Sequence, residues 1–339
     1  MAGFLSTLEE PATKARDLIQ SIHQRRTVDF EQMRQVNRNL RTKLAAHAAI
    51  ATPTLLHEHS SQDGTQKWLL KLEDGNAIET VYIPEQDRGA LCLSSQVGCG
   101  LNCRFCATAQ AGFNRHLSTG EIIGQLWWAL SRVPQITNVV MMGMGEPLQN
   151  YEAVVAALDL MLDDCAYGLS KYRVTVSTAG MVPAMQRLRQ QSPVSLAVSL
   201  HAPNNRLRSE LVPLNKKYPL EVLIPVCRDY FPARSKQTIL FEYVMLAGVN
   251  DQPEQADELV NLLKGVRCKL NLIPFNPYPG AHYRRSDPKT IADFQKYLMD
   301  AGIPTWVRRT RGEDIDGACG QLAGQFVDRT GRKKIPILK

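Results

Sequence analysis

From residue 90 onward, short apolar runs alternate with amphipathic stretches, and this alternation constrains the fold more than any other feature of the chain. Strands are expected at Ala90–Ser94, Thr137–Met142, Arg173–Thr178, Val194–Leu200, Thr238–Met245, Cys268–Pro274 and Pro304–Arg308. Helices are expected between them at Ser118–Ser131, Tyr151–Leu162, Val182–Gln190, Leu220–Tyr230, Pro253–Leu263 and Asp287–Ala301. Ser118 and Glu121 have capping-box spacing at the first of these helices. Repeated strand–helix units bury both faces of a parallel sheet, which either closes into a barrel or stays open and doubly wound. The length favours an α/β barrel, partial or complete, whose chemistry belongs at the C-terminal ends of the strands.

The residues before 90 read differently. Apolar positions recur at helical spacing over residues 11–47 (Leu18, Ile19, Ile22, then Phe30, Met33, Val36, Leu40 and Leu44), with arginines on the other face. Thr52-Pro53 breaks the pattern, and strand-like runs follow at Trp68–Leu72 and Ala77–Ile83 around an Asp74-Gly75 turn. Four regions are therefore expected: a helical accessory domain at 1–50, a hairpin linker at 51–89, the barrel at 90–310 and a C-terminal segment at 311–339. Net charge is +7, and its distribution says more than its size. Arg16, Arg25, Arg26, Arg34, Arg38, Arg41 and Lys43 crowd residues 15–50, while Arg329, Arg332, Lys333, Lys334 and Lys339 crowd the last twenty. Two basic ends suit a polyanion such as RNA, and equally suit two solvated surfaces. No apolar run reaches the ~20 residues of a membrane span, and residues 1–10 lack the pattern of a signal peptide, so a cytoplasmic protein with no membrane partner is expected.

Eight cysteines without a secretion signal point to metal or redox chemistry rather than a disulfide scaffold. Cys99-Gly-Leu-Asn-Cys103-Arg-Phe-Cys106 follows directly on the first barrel strand. Thiolates this close can wrap one metal centre, and three is the informative number. A cubane of four irons held by three cysteines keeps one iron open for an amine and a carboxylate, the chelating groups of S-adenosylmethionine (SAM). A zinc site with Cys92 as fourth ligand fits the same residues. No thioredoxin-type pattern surrounds the Cys103/Cys106 pair.

Polar residues also gather at the strand ends. Gly143-Met-Gly145-Glu146-Pro147 follows one strand, Ser177 ends the next, Ser199-Leu200-His201 ends another, and Asn276 follows Cys268–Pro274. Glycines let backbone approach a ligand, and Glu146 offers an acceptor for an ammonium. Together with Glu79-Thr-Val-Tyr-Ile-Pro84, Leu93-Ser-Ser-Gln-Val-Gly-Cys99, Asn138-Val-Val-Met-Met-Gly-Met-Gly-Glu-Pro147, Ser199-Leu-His-Ala-Pro-Asn204 and Asp314-Ile-Asp-Gly-Ala-Cys-Gly-Gln-Leu322, these residues resemble the RlmN/Cfr family of radical SAM RNA methyltransferases.

That resemblance implies the partial (βα)6 TIM-like form of the α/β barrel. It implies a [4Fe–4S] cluster on Cys99, Cys103 and Cys106, and SAM contacts at Gly145, Glu146, Ser177, Ser199, Leu200, His201 and Asn276. It implies Cys319 as methyl carrier, Cys92 as its resolving and disulfide partner, and Glu79 as proton acceptor. The implied substrates are an adenosine in 23S rRNA and one in the tRNA anticodon loop, methylated at C2. An electron donor such as flavodoxin or ferredoxin and a monomeric state go with it. Adenine C2 is electrophilic and cannot attack SAM, so the family uses two SAM molecules. One methylates Cys319. The other yields a radical that activates the S-methyl group, whose carbon then joins the base. Thiol exchange with Cys92 releases the methylated RNA. Two alternatives stand beside this: a Cfr-type C8 methyltransferase, against which Pro147 and Thr310-Arg311-Gly312 weigh, and a zinc-stabilised RNA-binding protein without catalysis.

Overall fold

The computed structural model describes residues 1–330; the expected basic cluster at Arg332, Lys333, Lys334 and Lys339 lies outside them. In chain order the elements are α1 (Ala2–Thr7), α2 (Ala15–Ile19), α3 (Arg38–His47), β1 (Thr54–Ser60), β2 (Gln66–Lys71), β3 (Ala77–Glu85), β4 (Arg88–Cys92), β5 (Gln96–Gly98), α4 (Ala107–Ala111), β6 (Phe113–His116), α5 (Thr119–Leu130), β7 (Ile136–Met141), α6 (Tyr151–Leu162), β8 (Val174–Thr178), α7 (Val182–Gln191), β9 (Ser195–Ser199), α8 (Asn205–Leu211), α9 (Leu220–Asp229), β10 (Ile239–Met245), α10 (Pro253–Leu262), β11 (Cys268–Pro274), α11 (Pro288–Asp300) and β12 (Thr305–Val307).

The main sheet runs β1-β2-β3-β4-β7-β8-β9-β10-β11-β12. From β4 to β12 every neighbouring pair is parallel. This is the partial barrel that the family resemblance implies: six full strands, with the three-residue β12 as a short seventh. The antiparallel β1–β2–β3 meander continues the sheet beyond β4. The barrel strands are apolar because helices cover one face and the barrel interior the other. Helix α5 starts where the capping box requires: the Ser118 hydroxyl accepts from Glu121 N–H, and the Glu121 carboxylate accepts from Ser118 N–H.

The first fifty residues build a core of their own from Leu5, Leu8, Leu18, Phe30, Met33, Val36, Leu40 and Leu44. It is not a continuous helical pair. A single π turn extends α2 over Gln20–Gln24, and short 3-10 turns precede α3. Among the described residues this lobe sits on the barrel through three polar contacts: His23 Nδ1 with the Tyr167 hydroxyl (3.0 Å), Gln24 Nε2 to the Asp164 carbonyl (2.7 Å), and Trp127 Nε1 to the Ile22 carbonyl (2.7 Å).

The C-terminal segment crosses the seam between the barrel and the meander. Asp314 accepts from Ser61, Lys67 Nζ donates to the Asp316 carbonyl, Ala77 and Gln325 bridge backbone to backbone, and Asn114 Nδ2 donates to the Val327 carbonyl. Cys319 lies on this strap, between its two anchored ends.

Candidate active site

The loop that carries Cys99, Cys103 and Cys106 begins at a glycine that no other residue can replace cheaply. Gly98 has φ +79°, and a Cβ there would lie 2.2 Å from the Gly112 carbonyl oxygen. Cys99 N–H donates to that same oxygen (2.7 Å), and Cys106 immediately precedes α4. Cys99, Cys103 and Cys106 all line one cavity. Burial, then the neighbouring Cys99 and Cys106, pushes the Cys103 thiol well up. Such mutual repulsion makes the set a poor resting arrangement for thiolates and a good one for a group that neutralises them. Three soft sulfurs ringing a shared cavity fit a cluster, in which each thiolate takes a different iron.

The same cavity is lined by Gly145, Glu146, Ser177, Ser199, His201, Asn276 and Cys319. Gly145 has φ +98°, and a Cβ would strike the Gln96 side chain at 2.5 Å. The Glu146 carboxylate is aimed by two backbone donors, Leu148 N–H (3.0 Å) and Ala179 N–H (2.7 Å), while burial raises it to about 7. His201 Nδ1 accepts from Val244 N–H (3.0 Å), so the neutral ring carries its proton on Nε2. Burial lowers this imidazole to about 3, which keeps it neutral. Its ring meets Phe105 edge to face at 4.6 Å, joining the cluster loop to the end of β9. Asn276 Nδ2 donates to the Cys319 carbonyl (3.1 Å), and its Oδ1 accepts from Arg285. Leu200 is fully buried and does not line the cavity; its N–H donates to the Glu242 carbonyl and its own carbonyl accepts from Arg208.

A second cavity adjoins the first. Cys319, Cys106, Met142, Gly143, Ile273, Asn276, Arg308 and Gly320 line both, and Cys92, Arg309, Thr310 and Arg311 line the second alone. Cys92 and Cys319, far apart in sequence, therefore share a wall. Both are free thiols. The disulfide that the family resemblance implies is not formed here: the pair stands in its reduced state, with burial pushing the Cys92 thiol up to about 12.

Glu79 lines neither cavity. Its Oε2 accepts from Ala323 N–H (2.7 Å) and Gly324 N–H (3.3 Å), and its Oε1 lies 3.3 Å from Lys67 Nζ. It holds the strap that carries Cys319.

Three charged residues of the site escaped the sequence reading. Half-buried Arg308 lies at the junction of the two cavities, with Cys319 foremost among the groups that keep its charge on, followed by Glu242 and Cys92. Glu242 lines the first cavity: Oε1 accepts from Asn271 (3.1 Å), whereas Oε2 is buried without a partner among the described residues. A lone carboxylate inside the apolar run Ile239–Met245 was the available signal. Arg208, wholly buried on α8, is the third.

A model of the radical SAM superfamily matches residues 93–260, and one of the ribosomal RNA large subunit methyltransferase N-terminal domain matches residues 1–50. A crystal structure of a radical SAM methyltransferase from Sphaerobacter thermophilus is 42% identical, with a TM-score of 0.89 over 95% of this chain and 96% of that one. The chain belongs to the radical SAM methyltransferases, of the RlmN type. More distant likenesses include SuiB of Streptococcus suis bound to S-adenosylmethionine (14% identity, TM-score 0.48, 65% of this chain and 51% of that one). A domain of pyruvate-formate lyase-activating enzyme from Bacteroides vulgatus is also similar (16%, 0.40, 51% and 99%). As a radical SAM methyltransferase the protein uses a [4Fe–4S] cluster and SAM. No helix among the described residues is long and apolar enough to cross a membrane.

Proposed function

We propose that this radical SAM methyltransferase methylates C2 of an adenosine in 23S rRNA and in the tRNA anticodon loop, with Cys319 as methyl carrier. The observation that supports this best is the shared wall: Cys319 faces the cavity of the cluster thiols on one side and the cavity of Cys92 and the Arg308–Arg311 run on the other. A sulfur so placed can receive a group on the first side and deliver it to a base on the second. When bound, the cluster and SAM supply a hydrogen-abstracting radical and a methyl group.

Each protein group then has a task that its environment suits. Cys99, Cys103 and Cys106 hold the cluster. Glu146, with Gly145 bringing backbone close, receives the SAM ammonium; Ser177, Ser199 and neutral His201 complete the wall around SAM, with Leu200 buried behind it. Asn276 holds the Cys319 backbone and so aims its Sγ. Arg309 and Arg311 flank the second cavity as phosphate partners for an unstacked nucleotide. Once the carbon has joined C2 and the C2 proton has left, the Cys92 thiolate attacks Cys319 Sγ. The Cys92–Cys319 bond forms as the bond from Cys319 Sγ to that carbon breaks; the carbon keeps the electron pair and takes up a proton to become the methyl group, and an external thiol later reduces the pair. The resemblance gives Glu79 the C2 proton; its contacts favour holding the strap. Residues 1–50 act as an RNA-gripping domain.

The test is anaerobic turnover on a 23S rRNA fragment followed by nucleoside mass spectrometry. The expected product is 2-methyladenosine, absent with Cys319→Ala. A product of 8-methyladenosine, or a C319A variant that still methylates, would overturn the reading.

A further inference from the structure

Arg208 carries a buried charge, and no carboxylate reaches it among the described residues. Its Nε donates to the Leu200 carbonyl (3.1 Å), Nη1 to Asn215 Oδ1 (2.8 Å), and Nη2 to the carbonyls of Ala179 (2.7 Å) and Ser199 (3.1 Å). Ser199 ends β9 and Ala179 follows β8, so one side chain fixes both strand ends that line the SAM cavity. Helix α8 also holds the cluster loop. Arg104 N–H, between Cys103 and Cys106, donates to the Leu211 carbonyl (3.1 Å), and Leu207 and Leu211 belong to the apolar cluster against which Cys103 and Phe105 pack.

Neutral acceptors solvate a guanidinium without neutralising it, and a buried charge left in that state is costly. Burial lowers Arg208 to about 10, so it remains a cation at neutral pH, on the helix whose Leu207 and Leu211 pack with Cys103. An iron–sulfur cluster on three thiolates is anionic and becomes more so on reduction. A nearby buried cation favours the reduced form.

We propose that Arg208 is a positioning residue that supplies the cluster's buried counter-charge, raising its reduction potential while clamping the two strand ends that receive SAM. This rests on the family's cluster and not on which RNA atom is methylated, so it survives or fails independently of the C2 assignment.

The test is a redox titration of the reconstituted full-length protein followed by electron paramagnetic resonance, without RNA. Arg208→Met should lower the reduced-to-oxidised ratio at a fixed potential at least tenfold, a midpoint about 59 mV more negative for one electron. Asn215→Asp sets a carboxylate against the guanidinium with the arginine still in place, and should move the midpoint the same way. Arg208→Lys keeps the charge but reaches fewer acceptors: its midpoint should stay near wild type while SAM binding weakens several-fold. Wild-type midpoints in both R208M and N215D would overturn the proposal. So would an R208K midpoint displaced as far as that of R208M, because the charge would then not be what matters. Should R208M load no cluster, N215D and R208K decide the question alone.

Discussion

Acid should loosen the N-terminal lobe through one imidazole. His23 is half-buried where the lobe meets the barrel, with Nδ1 on the Tyr167 hydroxyl. Burial lowers it from 6.5 to about 4, against a smaller opposing effect of Asp163. The unfolded chain therefore binds a proton below pH 6.5 that the folded chain refuses until about pH 4. Stability rises with pH wherever the unfolded state holds more protons, so the contribution is complete above pH 6.5 and is lost as pH falls towards 4. The displacement corresponds to about 3 kcal/mol, and to about 2 kcal/mol once solvent access to the half-buried ring is allowed for. The assay is urea unfolding of wild type and His23→Gln, a variant that keeps an acceptor for Tyr167 but cannot titrate. The stability difference between the two should change by about 2 kcal/mol between pH 7.5 and 4.5, at wild type's expense in acid. Other titrating groups cancel in that difference. A difference that stays flat across this range would refute the reasoning.

Glu79→Gln removes the buried ion pair with Lys67 and weakens the hold on Ala323 and Gly324. We expect a loss of about 2–3 kcal/mol and faster amide exchange at those two residues, read by hydrogen–deuterium exchange. Gly98→Ala drives a methyl into the Gly112 carbonyl at a positive φ; it should cost more than ~2 kcal/mol and leave the reconstituted protein short of iron, read by metal analysis. Leu40→Ala, in the separate core of residues 1–50, should cost about 2–5 kcal/mol in that lobe's unfolding while leaving SAM cleavage intact. A loss of cleavage would mean that the lobe reaches the barrel's site.

The sequence exposed the barrel most clearly where two physical demands coincided. Cys268–Pro274, where Leu270 and Leu272 alternate with Lys269 and Asn271, was readable to the residue, and the other barrel strands to within two residues. β1 was missed because it is an exposed edge strand, whose run Thr-Leu-Leu-His-Glu-His-Ser has no buried face to impose alternation. Helix α8 was missed because it is only seven residues long. The break after α2 escaped because helical spacing of Leu18, Ile22 and Phe30 survives a local π turn. At the site, Cys99, Cys103 and Cys106 were legible because they lie close in sequence. That Cys92 and Cys319 share a cavity, that Glu79 faces the strap, and that Arg308 stands between the two cavities are products of tertiary packing, which leaves no local signature.

The strap has a consequence for how the protein comes into being. Cys319 belongs to no strand or helix, and its segment docks on surfaces of β2, β3 and β6 that exist only after those strands have formed. Synthesis delivers it after every strand of the barrel, and domains begin to fold as they emerge. A nascent chain thus owns the loop of Cys99, Cys103 and Cys106 and most of the cavity wall before it owns Cys319, the methyl carrier proposed above. On the role proposed for Cys319, a chain halted near residue 310 would be an igniter with nothing to light, which would make the integrity of the final segment a matter of cellular economy as well as catalysis.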